Sequence, residues 1–159
     1  MNLLTVPLNI PDGWNIIFGQ SHFIKTVEDL YEVLATAGGL KFGLAFSEAS
    51  QHRLLRHAGN DDDAKRVAID NLQKIGAGHT FLIVLKSGFP IQVLNAVKNC
   101  PEVCRIFCAT ANQVEIVLGE TELGRAVLGV VDGNSPLGIE GKEDIDDRKK
   151  FLRIIGYKC

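Results

Sequence analysis

The sequence predicts an α/β fold: a single compact domain, residues 1–159, in which a mixed β-sheet is flanked by helices. Three observations predict it. Strand-like and helix-like segments interleave along the chain instead of segregating. Thr80 to Leu85 is almost wholly apolar, the pattern of a strand buried on both faces. The length of 159 residues suits one domain, and a chain of that size buries about 68–70% of its unfolded surface.

The elements follow in order. Leu3 to Ile10 is apolar and interrupted by Pro7, which predicts an edge strand. Pro11, Asp12 and Gly13 supply turn chemistry, and Trp14 to Phe18 reads as a second strand, so an opening hairpin is expected. Thr26 is placed to cap a helix, with Asp29 at the capping-box position and Leu30, Val33, Leu34 and Ala37 as its apolar stripe. Gly38 and Gly39 end it. Phe42 to Phe46 predicts a strand that opens into the polar Ser47-Glu48-Ala49-Ser50, and Arg53 to Ala58 a further short strand. Gly59 to Asp63 is a turn entering a helix that runs to about Ile75, its acids complementing the helix dipole. Gly76-Ala77-Gly78 stops it ahead of the Thr80 strand. Pro90 suits the first turn of a helix ending near Lys98. Val103 to Ala109 and Val114 to Leu118 predict a second hairpin across Thr110–Gln113, and Ala126 to Val131 a late strand. Glu143 to Ile155 is helical, acids first and bases last.

A formal net charge of -2 argues against nucleic acid or an anionic membrane as the main partner, since both need a basic face. No apolar run approaches the roughly 18 residues of a membrane span. Met1 to Ile10 lacks the basic region of a signal peptide, so a cytoplasmic location is expected. Cys100, Cys104 and Cys108 do not have zinc spacing and read as small buried hydrophobes in a reducing compartment.

Among polar residues His79 is the most informative. It follows Gly76-Ala77-Gly78, where the missing side chains let a ligand approach the backbone, and imidazole serves as acid, base or nucleophile near neutral pH. A turn histidine bonded to the backbone has the same pattern. Glu48 lies directly after a strand, where catalytic groups are often displayed; a solvated loop acid reads the same. Asn60 and Asp61 precede a helix N-terminus and suit either a ligand's hydroxyls or plain capping. Asn95 is a poor helix former in a helix, Asn112 suits a purine edge or a turn, and Asp132-Gly133 is first a turn signal. His52, His57 and His22 carry weaker cases. Walker-type phosphate loops, dinucleotide fingerprints and protein-kinase signatures are missing.

Several segments recur in order: Phe42-Gly43-Leu44-Ala45-Phe46-Ser47-Glu48-Ala49-Ser50, Gly59-Asn60-Asp61, Gly76-Ala77-Gly78-His79-Thr80-Phe81 and Phe89-Pro90-Ile91-Gln92-Val93-Leu94-Asn95-Ala96. Pro101-Glu102-Val103-Cys104, Phe107-Cys108-Ala109-Thr110-Ala111-Asn112 and Gly129-Val130-Val131-Asp132-Gly133 complete the series. From Leu3 to Tyr157 the chain resembles the small prokaryotic family of adenosine-specific kinases. The resemblance implies an α/β fold that binds adenosine and AMP rather than ADP or ATP, a phosphorylatable histidine at His79, and a homo-oligomer (trimer or hexamer). On an enzyme reading, His79 and Glu48 are the catalytic candidates, and Asn60, Asp61, Gly78, Thr80, Asn95, Asn112 and Asp132 the candidates for substrate contact. Mg²⁺, held by Glu48 or Asp61, is the one cofactor considered. The chain departs from the family pattern at Ser47, where the family has cysteine, and at Gln92, where it has asparagine. Two readings follow: a phosphotransferase working through phosphohistidine, and a purine-nucleoside or AMP sensor in which His79 only contacts ligand.

Overall fold

The computed structural model describes residues 1–159. In β1 (Asn2–Pro7) Leu4 and Val6 turn inward while Leu3, Thr5 and Pro7 face out, the period-2 pattern of a strand with one wet face. In β2 (Asn15–Ser21) the first five residues are all buried. The two strands do not form a hairpin. β1 pairs with β7 (Val114–Glu120), which pairs with β8 (Arg125–Asp132), in a three-stranded sheet. β2 sits inside a five-stranded sheet of order β4-β3-β5-β2-β6, with β3 Lys41–Ser47, β4 Leu55–Gly59, β5 Thr80–Ser87 and β6 Val103–Thr110. The expected opening hairpin is therefore corrected: Pro11–Gly13 carries the chain between sheets. So does Thr110–Gln113, which was expected to close a second hairpin. The hairpins that do form are β3–β4 and β7–β8. All ladders between named strands are antiparallel, and one isolated parallel bridge, Ala77 to Arg125, ties the sheets.

Helices cover both faces of the large sheet. α2 (Asp62–Ile75) and the small sheet share one face, where Ala68, Leu72, Ile75, Leu82, Val84, Ile116 and Leu118 make a single apolar cluster. α1 (Thr26–Thr36) and α3 (Leu94–Lys98) cover the other, over Phe42, Leu44, Phe46, Phe81 and Ile83. Burial of β5 on both faces is as its composition predicts, and it is reached by an antiparallel strand.

Thr26 does not cap α1: its hydroxyl bonds Ser21 Oγ at 2.8 Å and the Phe23 carbonyl, while Asp29 pairs with Lys25. Pro90 opens a 3₁₀ turn (Pro90–Gln92) before the shorter α3. Cys104 is exposed, so only Cys100 and Cys108 are the buried small hydrophobes expected. α4 (Lys142–Ile154) carries its acids first and Arg153 last, and buries no residue. No helix is long and apolar enough to cross a membrane.

Candidate functional site

The ends of β3 and β2 and the start of β5 meet at His79. Gly76 ends α2 in the left-handed conformation, its N–H donating to the Leu72 carbonyl. Three residues later His79 takes the same region, at φ 60°. Its N–H donates to the Ser47 carbonyl at 2.7 Å, and its own carbonyl accepts from Ser21 N–H at 2.9 Å. The backbone is thus pinned to the strands on either side. The half-buried ring lies on Phe46, centroids 5.9 Å apart and planes 13° apart.

Glu48, one residue beyond β3, is buried (8% exposed), and its Oε2 accepts from Arg56 at 3.0 Å and from Leu54 N–H at 3.3 Å. The other oxygen makes no hydrogen bond within the chain. Arg56 stands opposite Phe46 in the β3–β4 register, which brings its guanidinium to the same end of the sheet. Its buried Nε has no acceptor. Gly78 packs against the 48–54 loop: a Cβ there would come 2.9 Å from that of Ala49. Beside this turn, between the two sheets, opens a cleft of about 960 Å³ lined in part by Ser47, Glu48, Arg53, Gln73, Gly78 and Arg125.

Of the residues singled out from the sequence, His79, Gly78 and Glu48 are brought together. Thr80 is adjacent, but its hydroxyl donates to the Ala77 carbonyl at 2.6 Å inside the turn and is buried, so it shapes the turn in place of the expected ligand contact. Asn60 and Asp61 lie at the opposite end of β3, about 17 Å away at ~3.3 Å per residue. There Asn60 splices the strand, accepting from Phe42 N–H and donating to the Leu40 carbonyl. Asp61 caps α2 through Ala64 N–H at 3.0 Å and takes Lys86 at 3.2 Å. Those bonds, the Ala64 amide first, hold its carboxyl below the usual carboxylate range. Asn112 and Asp132 bond each other at 3.0 Å at the open end of the β7–β8 hairpin, beside a separate polar hollow of about 500 Å³. Asn95 is exposed on α3.

No group of three or more His, Cys, Asp or Glu side chains converges in the chain, and both carboxylates considered for Mg²⁺ already hold cationic side chains. Sequence reasoning missed Phe46 and Arg56. Phe46 read as plain core, and Arg56 joins Glu48 only through a strand register that local patterns do not encode.

The sequence profile of the family described as adenosine specific kinase matches residues 6–158. Among solved structures, the chain superposes on the PH1918 protein from Pyrococcus horikoshii OT3 with a TM-score of 0.95 and 43% identity, over 99% of this chain and 98% of that one. No match is found among curated proteins.

Proposed function

Because the chain belongs to the adenosine-specific kinase family, we propose that it binds adenosine or AMP and transfers a phosphoryl group through a covalent intermediate on His79. One observation carries the reading: an imidazole whose backbone is clamped from both sides and whose ring is steadied on Phe46 stays half exposed at the end of the large sheet. Orientation of that kind is what a nucleophilic histidine needs, since it removes the entropy of aligning attacker and phosphorus.

In the first step a neutral ring nitrogen attacks the phosphorus of a phosphoanhydride donor. The N–P bond forms, the P–O bond breaks, and its electron pair leaves on the donor oxygen. In the second step a ribose hydroxyl of adenosine attacks the same phosphorus, the P–N bond breaks, and the hydroxyl proton passes to the free oxygen of Glu48. Arg56 keeps Glu48 in place. The same reading has copies of the chain assembled as a trimer or hexamer, testable by light scattering.

The test is His79→Asn, chosen because asparagine tolerates a positive φ better than alanine. With ATP and adenosine supplied together, the wild-type protein forms AMP over hours and carries phosphate on His79. The variant does neither, while its adenosine affinity stays within about threefold of wild type. Phosphorylation retained in the variant would sink the covalent step. Tight adenosine binding with no AMP formed by the wild type would leave the sensor reading in its place.

A further inference from the structure

Resting on that reading, we propose that Arg53 is the residue that holds the phosphate of a phosphate monoester, AMP in the first instance, in the cleft bordered by Gly78. The cleft is lined by three charged side chains, and two of them are spent. Glu48 is neutralised by Arg56. Arg125 pairs with Glu120 at 2.9 Å and donates to the carbonyls of Lys74 and Ile75, closing the C-terminal end of α2. Arg53 alone has neither a carboxylate within 4 Å nor a hydrogen bond from its guanidinium. The cleft therefore presents one uncompensated cation, and its fork matches two phosphate oxygens.

The way Arg53 is presented points the same way. The only non-glycine residues with positive φ are Gln51 (52°), Arg53 (50°) and His79 (60°), and all three lie at this end of the sheet. Strained backbone of this kind persists only where surrounding bonds hold it, and it gathers at ligand clamps. The 48–54 loop has those bonds: Glu48 N–H to the Leu54 carbonyl, Leu54 N–H to Glu48 Oε2, and Arg53 N–H to the Ser50 carbonyl. Ala49 seats the loop on Gly78, next to His79. With no glycine-rich phosphate loop in the sequence, Arg53 is the free cation that this cleft offers to a phosphate.

The experiment is a pair of calorimetric titrations, AMP and adenosine, on wild type, Arg53→Ala and Arg53→Lys. Loss of the guanidinium is expected to weaken AMP by about 10- to 100-fold and adenosine by no more than about twofold, because adenosine has no phosphate. Lysine keeps the charge but loses the fork, and is expected to fall between. Unchanged AMP affinity in Arg53→Ala, or equal losses for both ligands, would overturn the assignment. Should the alanine variant not fold, Arg53→Asn, which accepts the left-handed backbone, replaces it. If the wild type binds neither AMP nor adenosine, the nucleoside reading fails by itself, and inorganic phosphate followed by ³¹P line broadening still decides Arg53. Broadening that the variant abolishes supports the assignment, and a wild type that leaves the line sharp overturns it.

Discussion

A histidine held in the left-handed region costs roughly 1–3 kcal/mol of backbone strain. At His79 that strain is offset by two short bonds to neighbouring strands and by the stacked Phe46 ring. The glycines before it made the position legible in the sequence. The partners were not, because Phe46 and Arg56 reach it through pairing across strands. The cysteines show the same division. Their aliphatic neighbours announced burial, which holds for Cys100 and Cys108 and fails for Cys104, whose place in the pleat points it outward. Burial first, then the nearby Asp132 carboxylate, pushes the Cys108 thiol up to about 11. A folded-state pKa above the unfolded value means a contribution to stability that is fully present below about 8.5 and lost as pH rises through 11. Reactivity follows the thiolate, so at pH 8 an alkylating reagent followed by mass spectrometry is expected to label Cys104 and Cys159 within minutes and to spare Cys108. Labelling of Cys108 at a similar rate would show that its site opens readily.

Between elements, α2 packs backbone to backbone against the β3–β4 hairpin. Gly43 and Gly59 face each other in the register, and a Cβ on Gly43 would meet Lys65 N at 2.1 Å and Ala64 C at 2.3 Å. Backbone meets backbone there, so no side chain can swing aside. Gly43→Ala is expected to cost about 3 kcal/mol or more, the upper end of overpacking. Gly129→Ala, with open space around it, serves as the neutral control. Urea unfolding reads the difference as a lower midpoint at unchanged slope. An unshifted midpoint for Gly43→Ala would mean that α2 does not seat so closely. Nearly every element was legible in the sequence, because periodicity and stop signals are local. Which strand pairs with which was not: the turn residues at Pro11–Gly13 mark a change of direction and say nothing of the sheet that receives the next strand.

Across the whole molecule, burial grades from the large sheet outward. β5 lies between two strands and under apolar side chains on both faces, whereas α4 buries no residue and presents Phe151, Ile154 and Ile155 to solvent. Phe151 and Ile155 line an apolar groove of about 580 Å³ with Phe89, Ile91 and Tyr157. Amide protection follows such gradients, because local opening exposes least apolar surface where least is buried. In hydrogen exchange on the dilute protein, α4 is therefore expected to exchange at least about 100-fold faster than the centre of β5. Slow exchange through α4 would mean that this face is covered in solution, and the first cover to test is a second copy of the chain. Repeating the measurement at higher concentration separates the cases. Protection of α4 that grows with concentration belongs to assembly, and protection that stays constant belongs to the single chain.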